Sequence, residues 1–213
     1  MSDSNRDAIL TALTAEHLAM QGVITAAVNE QQARASMFLL AVSGGLVAIG
    51  IMAESARFLL FTGVIIAALY LAGLLTILRL VDVGMESMQS EVTIAKIRRY
   101  YRTLGPPAER LFEEPLGRWP EGKMDSANIT GELLGLLTTA ASMIACVNGF
   151  IGGAALALLL YHLVSTGVTV SVLAAALFAV AQVAAVLAYQ MWRINLVVGL
   201  AKDRSLLDET KPG

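Results

Sequence analysis

The chain has 213 residues, of which 56% are hydrophobic and 15% are charged, against about 25% charged in soluble domains. The runs 35–53, 58–78 and 133–192 contain no Asp, Glu, Lys or Arg, so the 15 basic and 17 acidic residues all fall in the other 113 positions. This pattern excludes a single-domain soluble enzyme, a disordered chain and, with one cysteine, a disulfide-stapled secreted module. The net charge of −2 provides no basic field, and we expect no nucleic-acid partner.

The first part of the chain, residues 5–34, is predicted to be a helix. Its stripe positions recur at alternating spacings of three and four residues, which is typical of a heptad pattern. They are Leu10, Leu13, His17, Met20, Ile24, Ala27 and Gln31. Because no Pro or Gly-rich break follows, the helix is predicted to continue as a stalk into the first apolar run.

The three uncharged runs predict four membrane spans. A helix rises about 1.5 Å per residue, so about 20 residues cross the ~30 Å hydrocarbon core. The first two runs give spans at 36–55 and 57–79. The third is long enough for two, at 134–161 and 168–191, with turn-forming residues between them. The sequence therefore predicts an all-α membrane protein with four transmembrane helices and cytoplasmic helical extensions.

The basic residues predict the orientation of these spans. Fourteen of the 15 fall in the N-terminus, the central segment with Arg79, or the C-terminus, and only Arg57 lies opposite. The positive-inside rule places both termini in the cytoplasm. The predicted parts are a cytoplasmic amphipathic helix (1–35), a transmembrane hairpin (36–79), a cytoplasmic helix with a Pro-rich loop (80–132), a second transmembrane hairpin (133–192) and a cytoplasmic tail (193–213).

A second cytoplasmic helix is predicted over 80–104, ended by Gly105-Pro106-Pro107, with a loop of short turns over 105–132. Its apolar stripe, Ile94, Ile97, Tyr101 and Leu104, is expected to pack on the first helix within or between subunits. A straight helix would carry residues 96–102 about 25–35 Å beyond Arg79. A bend near Gly84 would instead lay the segment along the membrane surface.

One dense basic cluster, defined by Lys96, Arg98, Arg99 and Arg102, is the candidate binding region. Arginine and lysine at this density can engage anionic lipid headgroups, a nucleotide phosphate or an acidic cytoplasmic protein partner. The alternative is an ordinary solvated helix face. The sequence leaves these possibilities open, with membrane lipids as the expected partner of the spans themselves.

The uncharged runs that form the spans contain no Asp, Glu, Lys or Arg, and the candidates there are neutral. Asn148 and Gln182 are predicted near mid-membrane, where they could hydrogen-bond across the second hairpin as helix–helix glue, which we favour over a substrate site. The helix-packing candidates are Gly44, Gly45, Gly149 and Gly153, the last two forming a GxxxG pair. Together with the heptad stripes, this pair predicts a homo-oligomer.

No catalytic constellation is found in the sequence. His17 and His162 are predicted on opposite sides of the bilayer, and there is no Walker-type loop or HExxH motif, so we expect no enzyme activity, cofactor or metal. The leading hypothesis is a non-enzymatic, self-associating membrane protein that relays or senses between bilayer and cytoplasm through the helical stalk. The alternative is a homo-oligomeric channel lined by residues such as Thr138, Ser142 and Asn148. A lipid-directed enzyme is the least favoured.

Two short motifs suggest a relationship. The segments Ile97-Arg-Arg-Tyr-Tyr101 and Val147-Asn-Gly-Phe-Ile-Gly-Gly153 resemble a group of bacterial four-span membrane proteins. The resemblance implies a multi-pass protein of the bacterial inner membrane. No activity is attached to that group, so the resemblance implies no functional residue.

Overall fold

The computed structural model describes residues 3–112 and 132–203, which form six helices and no strand. The helices are α1 (Asp3–Ile51), α2 (Phe58–Arg102), α3 (Pro106–Phe112), α4 (Glu132–Leu137), α5 (Ala140–Leu163) and α6 (Val168–Asp203). Four of them, α1, α2, α5 and α6, are long and apolar enough to cross a membrane. The predicted all-α class with four candidate spans is therefore confirmed, and the architecture is that of a multi-pass membrane protein.

Helices α1 and α2 are much longer than a span requires. They contain 49 and 45 residues, or about 74 and 68 Å of helix at about 1.5 Å per residue. Each continues from its apolar run into a polar sequence without a break, and α2 remains helical through Gly84. We call residues 3–34 of α1 and 80–102 of α2 the polar extensions.

The turns between the spans are short. Helix α1 ends at Ile51, four residues before the predicted span end, and backbone bonds from Ser55 N to Met52 O (2.9 Å) and from Phe58 N to Ser55 O (3.0 Å) lead into α2. The second turn lies where the sequence predicts it. There Ser165 adopts a positive φ of 56°, and Thr166 N donates to Leu160 O (3.2 Å), as at a helix C-terminus closed by a left-handed residue.

The third span begins later than the sequence predicts. Instead of one helix from residue 134, the chain breaks at Thr138 and Thr139, and α5 starts at Ala140. Thr139 is the N-cap, and its hydroxyl accepts the Ser142 backbone N–H (3.2 Å). A threonine hydroxyl that satisfies an otherwise free N–H makes a helix start here favourable, which an apolar run alone does not reveal.

Beyond α2, the prediction of a loop with short turns is wrong for the first residues. Gly105 has φ +140°, a backbone conformation that favours glycine, and its carbonyl accepts the Glu109 N–H (3.0 Å). Pro106 then occupies the first position of α3, where its missing N–H costs no hydrogen bond. The rest of the predicted loop, 113–131, lies outside the described residues.

The chain divides into two compact units, and we name them by composition. The apolar unit contains Gln31–Asp82 and Leu136–Met191. Its core is contributed by three helices, with Phe38 from α1, Ile77, Leu80 and Val81 from α2, and Ala141, Ile144 and Ala145 from α5. Most other large apolar side chains of this unit are exposed at its surface, as lipid-facing side chains are.

The polar unit contains Met1–Glu30, Val83–Gly135 and Trp192–Gly213. Its buried side chains come mainly from α2, among them Val83, Ile94 and Ile97. The predicted α1 stripe is confirmed as the packed face, because all its members are buried or half-buried and the residues between Leu10 and Ala27 that do not belong to it are exposed.

Candidate functional site

The basic cluster lies on the polar extension of α2, near its C-terminal end. Lys96, Arg98, Arg99 and Arg102 are all half-buried rather than fully solvated. Arg99 and Arg102 take part in polar or charged interactions, whereas Lys96 and Arg98 have no hydrogen bond or ion pair among the described residues. Basic groups in the last turn also complement the negative end of the helix dipole. The cluster is therefore partly structural, and Lys96 and Arg98 are its members without a polar partner in the part of the chain that the structure describes.

The same end of α2 is held by the N-terminal helix. Arg6 donates from its guanidinium to the Leu104 carbonyl (3.2 Å), and the Thr14 and Tyr101 hydroxyls lie 3.4 Å apart. The Tyr101 ring also packs on Phe112 of α3, with ring centroids 5.2 Å apart. These contacts fix the position of the basic cluster relative to α1 and α3 within the polar unit.

Asn148, one of the two intramembrane candidates, is fully buried in the apolar unit. Its carboxamide oxygen lies where a Cβ on Gly73 of α2 would stand, and the Phe38 ring closes the same position from α1. Neither the nitrogen nor the oxygen of the Asn148 amide has a hydrogen-bond partner in the described structure. The residue therefore contacts α2 closely but without a conventional hydrogen bond.

Gln182, the other intramembrane candidate, likewise lacks a hydrogen-bond partner in the part of the chain that the structure describes. Both polar atoms of its side chain are buried without a partner among the described residues. The expected hydrogen bond between Asn148 and Gln182 is therefore not formed in this structure. Asn148 faces α2 here instead, because a position near mid-membrane does not say which neighbouring helix a side chain faces.

The glycine candidates divide into packed and open positions. Gly149 and Gly153 lie against the backbone of Ala179 and Ala175 of α6, so the GxxxG pair forms a seam within one chain. Gly45 packs on Leu69 of α2, whereas a Cβ at Gly44 would meet nothing within 4 Å. The GxxxG pair is thus used for packing inside the chain, whereas the sequence predicted that it would serve self-association.

A polar network that the sequence analysis missed joins α5 to α6. Gln190 donates from Nε2 to the Ser142 hydroxyl (2.9 Å) and accepts from the Thr139 hydroxyl (3.0 Å). Ser142 in turn donates to the Leu136 carbonyl (2.7 Å). Gln190 was overlooked because it lies near the end of its apolar run. Its spacing of eight residues from Gln182, two turns along one helix face, was the available signal.

The residues predicted to line a channel do not share an outward face. Ser142 and Asn148 are fully buried inside the unit, whereas Thr138 is exposed. The first two are occupied with contacts to helices of their own chain. A lumen between subunits therefore receives no support from these positions.

The His, Cys, Asp and Glu side chains of the described residues do not come together into a metal site. Within residues 3–112 and 132–203, no group of three or more His, Cys, Asp or Glu could hold a metal ion. Cys146 lies exposed on the outer face of α5.

Comparison with protein-family models, with curated proteins and with solved structures found no match, so the resemblance to bacterial four-span proteins stays a prediction.

Proposed function

We propose that the chain is a non-enzymatic, self-associating protein of the bacterial inner membrane that relays or senses between bilayer and cytoplasm. Both termini lie in the cytoplasm in this proposal, in accord with the distribution of basic residues. The observation that carries it is the continuity of α2 (Phe58–Arg102), a single helix with an apolar span and a polar extension. A continuous helix can transmit a small shift or rotation along its length.

In the proposed relay, the basic cluster is the part that binds a cytoplasmic or lipid ligand when α2 moves. The Arg6 bond to Leu104 and the Thr14 contact with Tyr101 both hold α1 against the end of α2 that bears the cluster. A displacement of α2 would change these contacts and the exposure of Lys96 and Arg98. Their proposed ligand is an anionic group, either on a lipid or on a cytoplasmic protein partner.

Self-association is proposed to use the outer face of α1, because the GxxxG pair is already packed within the chain. The small exposed residues on this face follow heptad spacing: Ala8, Ala12, Ala15, Ala19, Gly22 and Ala26. Leu18 and Val23 flank the stripe and are 62% and 40% exposed. Copies that insert in the same direction present their α1 helices in parallel, which brings Leu18 of one copy towards Val23 of the next.

The relay is tested by electron paramagnetic resonance distances within the polar unit. Spin labels are placed on the exposed residues Thr11 of α1 and Thr103, which follows α2, after Cys146→Ala removes the native thiol. The protein is reconstituted in bilayers of short-chain and of long-chain lipid. We expect the distance distribution between the labels to shift with bilayer thickness, because the span of α2 must adjust to mismatch.

A label pair within α1, at Thr11 and Thr25, is the control and should give one distance in both bilayers. Identical distributions for the α1–α2 pair in the two bilayers would contradict the relay.

Self-association is measured separately, as particle mass in nanodiscs. There Ala19→Glu should dissociate the oligomer, while Val28→Glu, exposed on another face, should not. A monomeric unaltered chain would refute self-association, and steady conductance in planar bilayers would favour the channel.

A further inference from the structure

Two buried carboxamides in the apolar unit lack hydrogen-bond partners among the described residues. They are Asn148 on α5 and Gln182 on α6. Each side chain carries two N–H donors and a carbonyl acceptor, and a buried polar group left unpaired costs free energy. In hydrocarbon no water is present to satisfy such groups. Another arrangement of the same helices that pairs these amides would therefore gain hydrogen bonds that the described one lacks.

The register of the α5–α6 seam places the two amides at the same depth. Gly149 lies against Ala179, and Gly153, one turn further along α5, lies against Ala175, one turn back along α6. These antiparallel steps bring Asn148 within about two residues, or ~3 Å along the helix axis, of the level of Gln182. Gln182 also shares the face of α6 that presents Ala175 and Ala179, because it follows Ala179 by three residues.

The two amides lie at a similar depth along the helices, and they are not paired with each other because the Asn148 side chain points away from α6. The Asn148 side chain points to α2, where its oxygen occupies the space that Gly73 leaves by having no Cβ. Rotation about the Cα–Cβ bond of Asn148 moves an amide from one neighbouring helix towards another without unfolding α5. The donor and acceptor groups of the two carboxamides are complementary, so each can satisfy the other.

We propose that the apolar unit has a second state in which the Asn148 carboxamide leaves Gly73 and pairs with the Gln182 carboxamide. In this state the space beside Gly73 and Phe38 is vacated, and α2 closes it by shifting against α5. The Asn148–Gly73 contact is thus a two-position switch on the helix that bears the basic cluster. As the trigger of the relay, this switch rests on the function proposed above. The pairing of the two amides does not depend on that function, because it is argued from the register of α5 and α6.

The test is solid-state NMR of the unaltered chain in lipid bilayers, with ¹⁵N-labelled asparagine and ¹³C-labelled glutamine. We expect a through-space cross-peak between Asn148 Nδ2 and the Gln182 carboxamide carbon. Asn148→Leu and Gln182→Met, which keep similar size, should each abolish this peak. Ser43→Ala, a polar-to-apolar change on an exposed position of α1, should leave it in place.

Absence of the peak in both short-chain and long-chain bilayers overturns the proposal, provided that a ¹⁵N-glutamine, ¹³C-serine sample shows the Gln190–Ser142 contact. A peak that survives either Asn148→Leu or Gln182→Met also overturns it. The relay is judged independently by the distance between labels at Thr11 and Thr103. A cross-peak without a distance change refutes the relay alone, and a distance change without a cross-peak refutes the switch alone.

Discussion

The two halves of α2 are packed in opposite ways. Of residues 80–102 only Glu86 and Gln89 are exposed, whereas eleven of the residues 58–78 are. The exposed ones include Leu60 and Leu75, at 70% and 69%. The less hydrophobic half of the helix is therefore the better buried. Lipid tails are as apolar as leucine, so a side chain in a span needs no cover from protein.

Different forces consequently hold the two units. In the polar unit, burial of Val83, Ile94 and Ile97 away from water supplies the hydrophobic driving force. In the apolar unit, close approach of backbones at Gly149 and Gly153 and the hydrogen bonds of Gln190 take its place. The same substitution should therefore have different effects in the two units.

The largest contrast is expected from truncating one aliphatic side chain in each half of α2. Ile97 is 4% exposed, and Ile97→Ala should destabilise the polar unit by about 2–5 kcal/mol, through lost burial and the cavity left behind. Leu75→Ala, the matched change in the span, should cost less than about 1 kcal/mol, because Leu75 is 69% exposed and packs little against the protein. Thermal unfolding in nanodiscs measures both, and equal losses would break the comparison.

A smaller effect is expected from adding one methyl group at the α5–α6 seam. A Cβ at residue 153 would stand 2.7 Å from the Ala175 carbonyl oxygen, which belongs to backbone and cannot rotate away. Gly153→Ala should therefore separate the helices and cost about 1–3 kcal/mol. The control is Gly44→Ala, where nothing lies within 4 Å and the higher helix propensity of alanine should leave the unfolding midpoint unchanged or raised.

The smallest of the three effects is expected at the polar network. Gln190→Leu removes the partner of Thr139 and Ser142 and should lower stability by about 1–2 kcal/mol. Gln32→Leu, the matched change on an exposed position of α1, should be close to neutral. Unfolding by denaturant in mixed micelles compares the pair. If the two variants unfold alike, the network contributes nothing to the seam.

The sequence predicted some parts of this site and not others, for reasons that particular residues make plain. The α1 stripe and the turn near Ser165 were predictable, because helical periodicity and turn chemistry are local signals. The break at Thr139 was not, because a threonine in an apolar run can equally bond within its own helix. The pairing of Gln190 with Ser142 depends on helix register across 48 residues of chain, which local patterning does not encode.

The sequence by itself determined which segments are apolar enough to cross a membrane. Its three uncharged runs predict four apolar helices with helical extensions, because the free energy of transfer from water to hydrocarbon is set mainly by residue type. Only the tertiary structure decided which contacts those segments make. It assigned Gly149 and Gly153 to a seam within the chain, left Asn148 and Gln182 without a hydrogen-bond partner among the described residues, and buried the extension of α2. The physical reason is that packing in a bilayer depends on which face meets which neighbour, and overall hydrophobicity carries no information about faces.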